Sequence, residues 1–81
     1  MGRGTIEIWM KPLADGSKAV GLFNREQSTI KITVRFSQIG IGNRATVRDL
    51  WARKDLGVFT GSYSADVQEH GVVMIKVKPV N

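Results

Sequence analysis

The sequence predicts an all-β domain, a small antiparallel β-sandwich of about six to eight strands with Greek-key-like connections. Hydropathy alternates with period two along most of the chain, which puts apolar side chains on one face of each run. Short turns carrying Gly, Asp, Asn and Ser separate the alternating runs. The 81 residues hold 42% hydrophobic and 23% charged residues, enough for one thin core and too few for two domains. Residues 1–4 read as a short leader and 5–81 as a single domain.

The first run, Thr5 to Met10, sets Ile6, Ile8 and Met10 against Glu7 and Trp9. Pro12-Leu13-Ala14-Asp15-Gly16-Ser17 then supplies a turn, with Gly16 able to take the positive φ of a tight reversal. Lys18 to Asn24 is apolar on both faces, the mark of a central, well-covered strand. Asn24 to Ser28 turns the chain into Thr29–Phe36, where Ile30, Ile32, Val34 and Phe36 alternate without fault with Thr29, Lys31, Thr33 and Arg35. Its polar side predicts a sheet covered on one face. These three runs read as an antiparallel meander.

After Phe36 the chain loosens, and Gly40-Ile41-Gly42 fits a bend or bulge. Asn43 to Leu56 has two readings. Val47, Leu50 and Trp51 at i, i+3 and i+4, with Asn43 as N-cap and Gly57 beyond the end, suit an amphipathic helix. A strand from Ala45 to Trp51 followed by a turn from Ala52 to Gly57 fits equally well. Gly61 to Gln68 alternates again, Glu69-His70-Gly71 turns, and Val72 to Lys78 returns as the partner of a second hairpin that Pro79 ends.

The balance of charge narrows the partners. Twelve Lys and Arg against seven Asp and Glu give +5, but only Arg53 and Lys54 are adjacent. Most of the others alternate with apolar residues, so they read as solvated strand faces rather than a nucleic-acid footprint. No apolar run approaches the roughly 20 residues of a membrane-spanning helix. With no cysteine, thiolate metal sites and disulfides are excluded, and the compartment is left open.

Catalytic chemistry finds little purchase. His70 is the single histidine and falls in a turn, so no metal site and no cofactor are expected. Ser62 or Ser64, His70 and Asp66 can be written as a triad, but no nucleophile elbow surrounds the serines. Asp49, Asp55, Asp66 and Glu69 fall in turns or on wet strand positions, where carboxylates stay ionised. No catalytic residue is assigned. Trp9, Trp51 and Tyr63 are the candidate sugar-stacking or docking surface. Trp9 lies on the polar side of its strand, where it either stacks on a ligand or packs under a covering element. Trp51 is expected to plug one end of the core.

Several motifs in order resemble one family. Gly21-Leu22-Phe23-Asn24-Arg25, the run Ile30 to Phe36, Ile39-Gly40-Ile41, Val47-Arg48-Asp49-Leu50-Trp51, Gly61 to Val67 and His70-Gly71-Val72 together resemble the C-terminal antiparallel β-domain of α-galactosidases of glycoside hydrolase family 27. The resemblance covers Ile6 to Lys78. It implies a preceding (β/α)₈ barrel that carries the catalytic aspartates and performs retaining hydrolysis of α-galactosides, and none of those residues maps onto this chain. It favours the strand over the helix for Ala45 to Trp51. The expected role is structural, a module excised from a longer enzyme whose partner is that barrel. An oligosaccharide bound through exposed aromatics is the alternative, and an uncovered docking patch would let the module self-associate weakly.

Overall fold

The computed structural model describes residues 6–80, so the expected leader, residues 1–4, lies outside the described residues. Among these residues seven strands form two antiparallel sheets: β1 Ile6–Pro12, β2 Lys18–Asn24, β3 Ile30–Arg35, β4 Arg44–Asp49, β5 Lys54–Thr60, β6 Ser62–Val67 and β7 Val72–Pro79. The larger sheet runs β1-β2-β7-β4-β5, and β3 pairs with β6 in the smaller one.

The core lies between the sheets. Val20 and Leu22 of β2, Ile75 and Val77 of β7, and Ala45 and Val47 of β4 face Ile32 and Val34 of β3 and Val67 of β6. Burying each large aliphatic side chain contributes about 1.5–3 kcal/mol before the cost of ordering it. A 3₁₀ turn at Phe36–Ile39 closes one end, burying Phe36 and Ile39. Gly40 caps it at φ 73, a conformation that a side chain would strain.

The turn after β1 is set by Asp15. Its Oδ1 accepts from the Ser17 amide at 3.0 Å and from the Ser17 hydroxyl. Those bonds, with Lys76 at 3.3 Å, hold the Asp15 carboxyl well below its ordinary range.

Three expectations change, and one open reading is decided. The meander does not form, because β2 pairs with β1 and β7 while β3 crosses to the other sheet. Asn24 is the cause. Fully buried, it donates from Nδ2 to the carbonyls of Ser28 and Val67, both at 2.8 Å, and accepts from the Glu26 amide at 2.8 Å. That geometry steers the chain over the core instead of back along the sheet. The second hairpin fails in the same way: β6 pairs with β3, and β7 lies between β2 and β4. Residues 45–49 are strand, not helix, so the strand alternative holds there. The expected turn from Ala52 to Gly57 is mostly strand, since β5 begins at Lys54 and pairs with β4 through a register shift at Val47 and Arg48.

Candidate functional site

The larger sheet has an inner face toward β3 and β6 and an outer face toward solvent. In the β1–β2 register, Ile6, Ile8 and Met10 stand opposite the buried Asn24, Leu22 and Val20, and so belong to the inner face. Glu7, Trp9 and Lys11 stand opposite Phe23, Gly21 and Ala19 on the outer face. The alternation read from the sequence is therefore correct for β1, but all seven of its residues are exposed. The smaller sheet has only two strands and leaves the inner side of β1 uncovered.

Trp9 is 48% exposed and sits across from Gly21. A Cβ at Gly21 would lie 2.9 Å from Phe23 Cε1 and 3.1 Å from Met74 Sδ, so the ring and the sulfur close over the glycine. Gly21 is opposite Met74, and Phe23 opposite Val72, in the β2–β7 register. Trp9, Phe23, Val72 and Met74 thus form an apolar patch on the outer face. Sequence reasoning singled out Trp9 and missed the other three. The signal was present: Phe23 and Met74 are apolar on the wet side of strands whose other side already fills the core.

Trp51 corrects an expectation. It is 64% exposed and plugs nothing. Asp49 Oδ1 accepts from the amides of Trp51 and Ala52, both at 3.0 Å, and this tight turn lifts the indole away from the core. Arg53 follows at φ 55, and Arg48 ties the turn down by donating to the Arg53 carbonyl at 3.1 Å and to Asp55 at 2.7 Å. Trp51 lines a shallow groove with Asp66, Gln68, His70, Val72 and Val73. An adjoining hollow is lined by Phe23, Asn24, Arg25, His70, Gly71 and Val72. His70, at φ 53 in the β6–β7 turn, lies between the two.

Tyr63 is half-buried and packs edge to face on Phe59, ring centres 4.9 Å apart at 80°. Burial pushes its phenol above the ordinary 10.0, with the Asp49 charge adding to the effect. The three aromatics are not brought together. Trp9 lies on the outer face, Trp51 at one end, and Tyr63 where β5 meets β6.

The paper triad does not assemble into a relay. Ser64 shares a 2.7 Å hydrogen bond with Thr33 on the exposed face of the smaller sheet, and Asp66 is exposed on the same strand. Among the described residues, no group of three or more His, Asp or Glu side chains is placed to hold a metal.

Residues 3–77 match the family described as the alpha galactosidase C-terminal beta sandwich domain. A probable alpha-galactosidase of Dictyostelium discoideum is 35% identical over 82 residues, covering 96% of this chain and 21% of that protein. An isomalto-dextranase of Arthrobacter globiformis is 34% identical over 80 residues, covering 96% of this chain and 12% of that protein. The crystal structure of alpha-galactosidase I from Mortierella vinacea superposes with a TM-score of 0.85 at 30% identity, covering 98% of this chain and 22% of that one. The chain thus spans about a fifth or less of the length of these relatives. The motifs around Asn24-Arg25, Asp49-Leu50-Trp51 and His70-Gly71 carried a correct resemblance, and the chain belongs to the family of α-galactosidase C-terminal β-sandwich domains.

Proposed function

We propose that this chain is a non-catalytic accessory domain that packs on and stabilises the (β/α)₈ catalytic barrel of an α-galactosidase-like enzyme. The observation that carries the reading is the outer-face patch of Trp9, Phe23, Val72 and Met74, an apolar surface on a sheet face that also carries Glu7, Lys11 and Lys76. Two relatives support it by their difference. One is named for α-galactosides and the other for isomalto-dextran, yet both carry this sandwich, as expected of a module that does not select the substrate. On this reading the parent enzyme is a retaining α-galactosidase and its chemistry belongs to the barrel. Trp9 is then a docking residue and not a catalytic one.

The test is a graft. The Mortierella vinacea enzyme is made without its matching C-terminal segment, and again with this chain in its place. The graft is expected to recover most of the intact enzyme's half-life at raised temperature, while the truncated form inactivates quickly. A truncated enzyme as durable as the intact one, or hydrolysis of an aryl α-galactoside by this chain alone, would overturn the proposal.

A second reading rests on the Trp51 groove. An exposed indole beside Asp66, Gln68 and His70 offers a stacking plane and hydrogen-bonding groups to a pyranose ring. An amide-resolved NMR titration with galactose, melibiose and a galactomannan oligosaccharide decides it. Localised shifts at Trp51 and His70 would make the groove a sugar site; a silent spectrum at millimolar sugar would leave the domain structural.

A further inference from the structure

We propose that β1 pairs edge to edge with β1 of a second copy of this chain, antiparallel, about a two-fold axis at Trp9. This rests on the position and sequence of β1 and not on the function proposed above.

Among the described residues β1 is the end strand of the larger sheet and pairs on one side only, with β2. Its seven residues pair with β2 without a register shift, so the open side is a regular row of backbone donors and acceptors. Exposed apolar side chains flank that row on both faces: Ile6, Ile8 and Met10 inside, Trp9 outside. An edge of this kind is a template for another strand.

The sequence of the strand selects the occupant. Antiparallel pairing about Trp9 sets Ile6 opposite the second copy's Pro12, Glu7 opposite its Lys11, Ile8 opposite its Met10, and Trp9 opposite its Trp9. Apolar residues then meet apolar ones, and each of the two carboxylates meets an ammonium group. Pro12 has no amide hydrogen, but it falls at the end of the ladder where one bond fewer matters least. A two-residue slip in either direction sets Glu7 or Lys11 against Trp9. A one-residue slip joins the inner face of one copy to the outer face of the other. Only the register about Trp9 satisfies both faces.

Glu7 already bonds Arg25 of its own chain at 3.0 Å through Oε1, which leaves Oε2 for the lysine of the second copy. Both members of that internal pair are well exposed, so the pair does not close the edge. The result would be one continuous ten-stranded sheet with its two smaller sheets on the same side, each row of Ile6, Ile8 and Met10 covering the other.

Sedimentation equilibrium of the 81-residue chain from micromolar to millimolar concentration tests this, with circular dichroism to check that each variant keeps its sheets. The unaltered chain is expected to form dimers. Glu7→Lys and Lys11→Glu each place two like-charge pairs in the interface and should weaken dimerisation roughly tenfold to a hundredfold. An equimolar mixture of those two variants restores both charge pairs and should recover the original affinity as a heterodimer. Monomer mass throughout the series, association that neither reversal weakens, or a mixture that stays monomeric would each overturn the proposal.

Discussion

The two end strands of the larger sheet, β1 and β5, have the same length and the same type of neighbour, yet they are built in opposite ways. β1 keeps a continuous register and exposes Ile6, Ile8, Trp9 and Met10. β5 opens with Lys54 and Asp55, breaks register against β4 between Val47 and Arg48, and carries Gly57 at φ 113 beside that break. Charge and a bulge are devices that keep an edge from recruiting another strand. β5 carries both, whereas β1 carries charge at Glu7 and Lys11 but no bulge, although the two edges share a sheet and a core. The fold therefore does not decide which edge is open; the residues of each strand do.

The largest perturbation removes what both edges share. Phe36→Ala empties the biggest fully buried side chain and should cost about 3–5 kcal/mol, read from the urea midpoint. Both edges should then lose protection together in hydrogen exchange, because neither rests on a core of its own. Asn24→Ala strikes nearer β1. It strips partners from the Ser28 and Val67 carbonyls and from the Glu26 amide at the end of β2, and is expected to cost about 2–3 kcal/mol. The comparison is sharpened if amides of β2 and β3 open first, with β5 keeping its protection longest.

How far the sequence carried the reading follows from which forces are local. Strict alternation made β3 legible, and apolar residues on both sides made β2 legible as a paired, central strand. β5 escaped notice because its bulge and Gly57 break the alternation, so Lys54-Asp55-Leu56-Gly57 looks like a turn. Strand partners were misjudged because a short polar linker suits a hairpin and a sheet-to-sheet crossing equally. The choice between them is made by the Asn24 bond to Val67, 43 residues away. Trp51 was assigned to the core on hydrophobicity, but the Asp49 turn ahead of it faces the indole outward. Of the three candidate aromatics, Trp9 falls in an apolar patch whose companions Phe23 and Met74 come from strands far apart in sequence, and Val72 of that patch also lines the Trp51 groove.

Smaller effects separate the edges more finely. Gly57→Ala puts a side chain at φ 113 with no steric neighbour within 4 Å, so its cost of about 1–2 kcal/mol is backbone strain alone. Thermal melts should record it, and the β5 bulge should relax while β1 is unchanged.

Asp15→Asn, in the turn that follows β1, should cost the least of these substitutions, and its cost should be greatest near neutral pH and shrink in acid. The Ser17 hydroxyl and amide favour the ionised carboxyl, so its folded value lies below the ordinary 3.8. Stability from this pair is complete above 3.8 and is lost as pH falls through the lower folded value. Melting temperatures measured from neutral pH down to well below 3.8 should show a shallower acid decline in Asp15→Asn than in the unaltered chain.

Whether β1 is the contact edge and β5 the guarded one is tested most directly by amide-resolved NMR spectra of the unaltered chain over a wide concentration range. Shifts or broadening confined to the β1 amides of residues 6–11, with Lys54–Thr60 unmoved, are the expected result. Changes centred on β5 or on the β3–β6 sheet, or a spectrum independent of concentration, would contradict it.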